Sequence, residues 1–190
     1  IVRGYMADNF KYNFQYFDNL LWHKTNMVVS LTKASEWLKK DICIISYSDI
    51  IYSSHAVQKL IDSDADISIA YDPNWIELWK KRFKDPLSDA ETFKIKNGRI
   101  LEIGEKTSNI DDIEGQYMGL FKITPQGWKN ITSFLGMLTF DEIAKLDITD
   151  MLNRLILSGI NVTGIPISDN WYEVDTEEDL NYYKSIKSLR

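Results

Sequence analysis

Apolar positions along this chain fall into two kinds of segment: short β-branched runs, and stretches in which they recur every three to four residues. The two periods sort the elements before any other property does. DICIISYSD, residues 41–49, reads as a buried strand. SSHAVQKLIDS follows as a helix with Ala56, Val57, Leu60 and Ile61 on one face, and ADISIAYD is a second strand of the same buried type. Strand, helix and strand at this spacing predict a crossover unit with parallel strands. In AETFKIKNGRILEIGE, Asn97-Gly98 between alternating runs signals a two-residue hairpin, so the sheet is mixed. EGQYMGLFKIT is a further strand, PQGWKNITSFL a helix with Pro125 in its first turn, and DITDMLNRLILSGI a helix ending at Gly159. INVTGIPI and WYEVD supply late strands, and TEEDLNYYKSIKSL closes the chain as a helix. Within the insertion PNWIELWKKRFKDPLSD, Trp75, Trp79 and Phe83 recur at four-residue spacing, which predicts an aromatic helical face packed into the core. Arg82 lies off that stripe, where its guanidinium is available to a phosphate, and Asp89 ends the insertion.

No repeat, low-complexity tract or linker interrupts this alternation, so residues 1–190 are expected to form one α/β domain. Composition adds limits. The chain is 44% hydrophobic and 13% aromatic, enough for a packed core, and no apolar run is long enough to span a bilayer. The opening IVRGYMAD has neither a basic n-region nor an apolar signal block. Cys43 is the single cysteine and sits in an apolar strand, which suits a reducing compartment; a cytoplasmic protein is expected. With 22 basic against 28 acidic residues and no lysine or arginine cluster, the chain offers no stripe for a nucleic-acid backbone. It begins on Ile1 and Val2, inside what reads as a strand leading to Gly4, so an N-terminal piece of the same domain is expected to precede it.

The candidate chemistry lies at two strand ends. In open α/β sheets ligands bind beyond the carboxyl ends of the strands, and Asp49 ends the most strand-like run. Asp175 ends WYEVD in the same manner. Two carboxylates so placed suit a shared magnesium ion, which is held by one or two carboxylates plus substrate phosphates. Helix capping is the other reading of Asp175, either as an N-cap with Glu178 three residues on, or as a bystander to a Thr176 cap with Asp179 as partner. Asp49 has no such duty, because Ser53 or Ser54 can cap the following helix. His23 and His55 are too isolated to suggest zinc, and no Ser-His-Asp set or Cys-His spacing appears.

The order of these segments resembles the sugar-phosphate nucleotidyltransferases, and more closely the small cytidylyltransferases that activate phosphocholine, aminoethylphosphonate or phosphoglutamine. The likeness runs through IVRGYMAD, KTNMVVSLTKASEWL, DICIISYSDIIYS, DISIAYDPNW, ILEIGEK, EGQYMGLFKIT and DNWYEVDTEEDL, nearly the whole chain. WHKTNMV, DPNWIELWKKRFKDPLSDAET and IEGQYMGLFK bring it nearest to members acting on phosphoglutamine in capsule modification.

That resemblance implies a Rossmann-like, mostly parallel mixed sheet flanked by helices. It implies attack of an acceptor phosphate or phosphonate on the α-phosphorus of CTP with loss of pyrophosphate, and Mg2+ between Asp49 and Asp175. It also turns the reading of Asp175 from cap to metal ligand. The family's first strand and Gly-rich phosphate loop have no counterpart in these residues, and the chain alone is expected to be inactive.

On the acceptor side the resemblance points to Thr25 and Asn26, and to Glu114, Gln116 and Tyr117. The first pair can equally cap the helix that follows, and the strand residues can equally face solvent. Trp171 and Glu173, just before Asp175, offer an aromatic face and a carboxylate to an ammonium or amino group, or simple packing at a strand edge. Lys106, after the IGE turn, is near substrate or simply solvated. A sugar 1-phosphate nucleotidyltransferase and a non-catalytic subunit of the same fold are the alternatives, with a nucleotide-sugar glycosyltransferase as the third. The last usually carries a D-x-D pair, where this chain has Ser46-Tyr47-Ser48-Asp49.

Overall fold

The computed structural model describes residues 14–185, so the opening IVRGYMAD with the Ile1-Val2 strand, and the end of the last helix, lie outside the described residues. Eight strands follow the expected order: β1 (Cys43–Ser46), β2 (Ile50–Ile51), β3 (Ile67–Asp72), β4 (Glu91–Lys96), β5 (Arg99–Lys106), β6 (Gln116–Ile123), β7 (Thr163–Pro166) and β8 (Tyr172–Glu173). Among them run α1 (Met27–Lys33), α2 (Ser35–Leu38), α3 (Ser54–Ile61), α4 (Trp75–Arg82), α5 (Pro125–Leu135), α6 (Phe140–Ile143), α7 (Ile148–Leu157) and α8 (Glu177–Ser185).

Six strands form the main sheet in the order β1-β6-β3-β7-β5-β4, and β2 pairs with β8 in a separate ribbon. β3 and β7 are parallel neighbours, while β1–β6, β3–β6, β5–β7 and β4–β5 are antiparallel. Strands β1, β3, β7 and β4 therefore run one way and β6 and β5 the other. The expected unit β1-α3-β3 does keep its two strands in one direction, but they are not adjacent, because β6 lies between them. The reason is in β6 itself. Every residue from Met118 to Ile123 is buried, so this strand needs cover on both faces and a partner on both edges.

Local signals explain the element ends. Ser53 and Thr124 cap α3 and α5 through their side chains, and Pro125 opens α5 where its missing N–H costs nothing. Asn97 and Gly98, with φ of 53° and 77°, form the tight hairpin turn between β4 and β5. The helical run after Asn26 breaks at Ala34 into α1 and α2. Two apolar clusters flank the sheet. One joins Val28, Ile69, Phe121, Trp128, Met151 and Leu155; the other joins Leu60, Ala70, Trp75, Trp79, Leu120 and Trp171. The second confirms the aromatic face of α4. Trp75 and Trp79 are both buried and meet edge to face with centroids 6.0 Å apart.

Candidate active site

The site begins where the chain leaves the main sheet. After Ser46 the backbone turns through Tyr47-Ser48-Asp49 and re-enters β structure at Ile50, so the apolar patch following Asp49 is a strand of the second sheet. Tyr47 anchors the turn: its N–H donates to the Gly119 carbonyl at 2.9 Å, and its ring lies on the bare face of Gly119, where a Cβ would sit 2.8 Å from it. In the ribbon Ile50 faces Glu173, and the Val174 N–H donates to the Asp49 carbonyl at 2.8 Å. Asp49 is thus opposite Val174, and Asp175 is the next residue along. The ribbon register thus brings backbone positions 126 apart in sequence close together beyond the end of β1, with Asp49 opposite Val174 and one residue out of step with Asp175.

The two aspartates differ in their surroundings. Asp49 is exposed, and no donor among the described residues reaches its carboxylate. Asp175 is half exposed and accepts from Arg82 Nη2 at 2.6 Å. The same guanidinium donates through Nη1 to Glu173 at 2.6 Å and through Nε to Asp179 at 3.2 Å, with its side chain only 2% exposed. Its central carbon lies 5.6 Å from the Trp79 ring centroid and 5.0 Å from that of Phe83. Burial works against the Arg82 charge, but three carboxylates outweigh it and raise its pKa. Burial and the neighbouring Asp175 charge push the Glu173 carboxyl up, against the pull of Arg82. Asp179 goes the other way: burial would raise it, but hydrogen bonds from Arg82 and Thr176 hold it below the usual carboxylate range.

The capping question at α8 is resolved by these same groups. The Asp179 N–H donates to Thr176 Oγ1 at 3.1 Å, and the Asp179 carboxylate takes the Thr176 N–H at 3.0 Å. Thr176 and Asp179 form the reciprocal cap, and the side chain of Asp175 is left for other work.

Asp49 and Asp175 line separate clefts. One, of about 320 Å3, is lined by Met27, Leu31, Ile45, Tyr47, Ser48 and Asp49; it places Thr25 and Asn26, which immediately precede Met27, next to its rim. The other, of about 380 Å3, is lined by Arg82, Phe83, Asp89, Asp175, Glu178 and Tyr182 among others, with Lys81 also at its wall, so that acids outnumber cations there.

Comparison with known proteins decides the family. Over 197 aligned residues the chain is 39% identical to the CTP:phosphoglutamine cytidylyltransferase of Campylobacter jejuni, covering 95% of this chain and 78% of that protein. This chain is a nucleotidyltransferase of the cytidylyltransferase family. No protein-family profile matches it. The fold agrees with two solved structures. One, from Bacillus anthracis, is described as a glucose-1-phosphate thymidylyltransferase; its TM-score is 0.69 at 17% identity, with 95% of this chain and 68% of that chain covered. The inositol-1-phosphate CTP transferase of T. maritima follows at a TM-score of 0.64 and 16% identity, and there the chain covers 85% of its own length and 60% of the other.

The structure disperses the rest of this cytidylyltransferase's expected acceptor set. Asn26 caps α1, its carbonyl oxygen accepting the Met27 N–H at 2.8 Å. Thr25 donates to the Leu21 carbonyl and accepts from Asn19. Gln116 is buried, and its amide is used on backbone, donating to the Glu91 carbonyl at 2.6 Å and so tying β6 to β4. Glu114 accepts the Ile95 N–H at 2.6 Å. Tyr117 stands edge-on to Tyr47 at 5.9 Å; its hydroxyl is buried without a hydrogen bond of ordinary geometry, and burial raises its pKa well above the phenol range. Trp171 is 4% exposed, with its N–H on Asp72 at 2.9 Å and its ring 6.0 Å from Trp79, so it presents no open face to a cation. Arg82, expected to be available for a phosphate, has its nitrogens taken by carboxylates. Lys106 reaches the Asp89 carbonyl at 3.2 Å from an exposed position.

The sequence reading gave no place in the site to three residues. Tyr47 was within view as part of the strand end, and Asp72 ends β3 as Asp49 ends its own run. Asp72 is buried between the Trp171 N–H and the Asn74 N–H, and burial raises its pKa against the pull of those two donors. Asp179 had been seen only as a capping partner.

Proposed function

We propose that this chain carries the CMP-transferring site of an enzyme in which a small phosphorylated amine, amide or aminophosphonate attacks the α-phosphorus of CTP and pyrophosphate leaves. One observation supports this reading above the others: the ribbon register sets Asp49 and Asp175 on neighbouring positions at the carboxyl end of the sheet. The donor set fits a hard divalent cation, because one carboxylate is exposed without a donor and the other keeps an oxygen beyond its bond to Arg82. Among the described residues no group of three or more His, Cys, Asp or Glu side chains that could hold a metal ion occurs, so substrate phosphates would have to complete the coordination. Asp49 and Asp175 would hold Mg2+, which when bound lowers the repulsion between two anionic reactants. The protein's remaining task is placement, since nucleotidyl transfer needs little covalent chemistry from side chains.

The acidic cleft beside Asp175 supports the acceptor class. Asp89 and Glu178 outweigh Lys81 in its wall and, with Phe83 and Tyr182, favour an acceptor that brings its own cation or amide over a strongly anionic one. A hexose phosphate would instead need a row of convergent neutral hydrogen-bonding groups. The lone thiol of Cys43 fits a reducing, cytoplasmic setting, and no helix among the described residues is long and apolar enough to cross a membrane.

The test is a competition. The full-length protein is given the four nucleoside triphosphates in turn with Mg2+, and then phosphocholine, aminoethylphosphonate, phosphoglutamine and glucose 1-phosphate together with the preferred nucleotide. CTP and one of the first three acceptors should be consumed, with pyrophosphate released. Consumption of glucose 1-phosphate alone would move the chain to the sugar 1-phosphate branch.

A further inference from the structure

Arg82 stands apart from every other cation among the described residues, because it meets three carboxylates through three different nitrogens while almost wholly out of water. If its purpose were only to tie α4 to α8, the bond to Asp179 would suffice. The bonds from Nη1 and Nη2 go to Glu173 and Asp175, the residues on either side of Val174 in the strand that faces Asp49. A guanidinium is a planar, pre-organised fork, and the rings of Trp79 and Phe83 hold this one. One Asp175 oxygen is therefore pinned in direction. The side chain nevertheless stays 48% exposed, against 24% for Glu173 and 11% for Asp179. Asp175 is the one acid of the three that is both anchored and open to an incoming ion.

We propose that Arg82 is a positioning residue. It fixes Asp175 as a one-oxygen ligand whose second oxygen stays open to an ion, and it offsets the mutual repulsion of Glu173, Asp175 and Asp179. It acts through Asp175. This rests on the reading that Asp49 and Asp175 hold the metal, and the two can fail separately. Outer partners of ligating carboxylates set ligand orientation, and their loss costs about 10–100-fold in metal affinity.

The experiment measures binding of Mn2+ alone by electron paramagnetic resonance, with thermal melting of each variant alongside. Wild-type protein should bind the ion and Asp175→Asn should not; if Asp175→Asn binds as wild type does, the metal reading itself is wrong. Arg82→Lys keeps the charge but loses the fork. It should melt as a folded protein and bind Mn2+ about 10–100-fold more weakly. Adding Arg82→Lys to Asp175→Asn should then change nothing further. A folded Arg82→Lys protein with unchanged Mn2+ affinity overturns the proposal and leaves Arg82 a purely structural tie. Should Arg82→Lys not fold, wild-type protein decides. The Arg82 guanidinium 15N resonances should keep their hydrogen-bonded shifts and slow exchange when Mg2+ and CTP are added, whereas loss of the Nη2 signature would mean that Asp175 abandons Arg82 for the metal.

Discussion

At the scale of single residues, the two aspartates are separated by what surrounds them rather than by their chemistry. Asp49 is exposed and unengaged, so Asn at that position removes charge without removing any contact. In the full-length protein, Asp49→Asn should change stability by no more than about 0.5 kcal/mol while abolishing pyrophosphate release, read by a melting curve and a coupled phosphate assay on the same sample. A collapse of melting together with activity would assign Asp49 to the fold. This residue was legible in the sequence because a buried run has no reason to end on a carboxylate when Ser53 is available as the cap. Arg82 was not, because its three partners lie 91, 93 and 97 positions away and helical spacing says only which face it avoids. Gln116 misled for a related reason. A polar residue on a strand looks addressable, but its amide here joins two strands across a backbone gap.

Among the elements, the contact of β1's end with β6 carries the site. Gly119 has a φ of 72°, and its missing side chain is the seat of the Tyr47 ring. Alanine at this position would suffer both penalties, a left-handed backbone and overlap with an aromatic ring. Gly119→Ala should cost about 2–4 kcal/mol in urea unfolding. It should also lower activity more than a remote variant of equal stability, since displacing Tyr47 moves the turn that presents Asp49. The elements themselves were largely readable from periodicity, including the hairpin at Asn97-Gly98 and the aromatic face of α4. The insertion of β6 between β1 and β3 was not, because strand order depends on which edges are left unpaired, and no local pattern records that.

For the whole molecule, one arrangement matters most: a six-stranded sheet with an apolar cluster on each face, and a ribbon that is two residues long on each strand. The sequence reading ended the apolar run at Asp49 and gave Ile50 and Ile51 no element of their own, since two residues are too few to show a period. So short a pair cannot persist by itself and depends on its neighbours for order. The chain should therefore open locally there at far less cost than global unfolding. In hydrogen–deuterium exchange the Val174 amide should lose protection well before those of Ile69 and Phe121 in the main sheet, and metal with nucleotide should slow it selectively. Equal protection at all three would mean the ribbon opens only with the whole domain. Because Asp49 and Asp175 flank opposite strands of a weak pair, a cation that joined them as proposed would also close a latch, making substrate loading and local order one equilibrium.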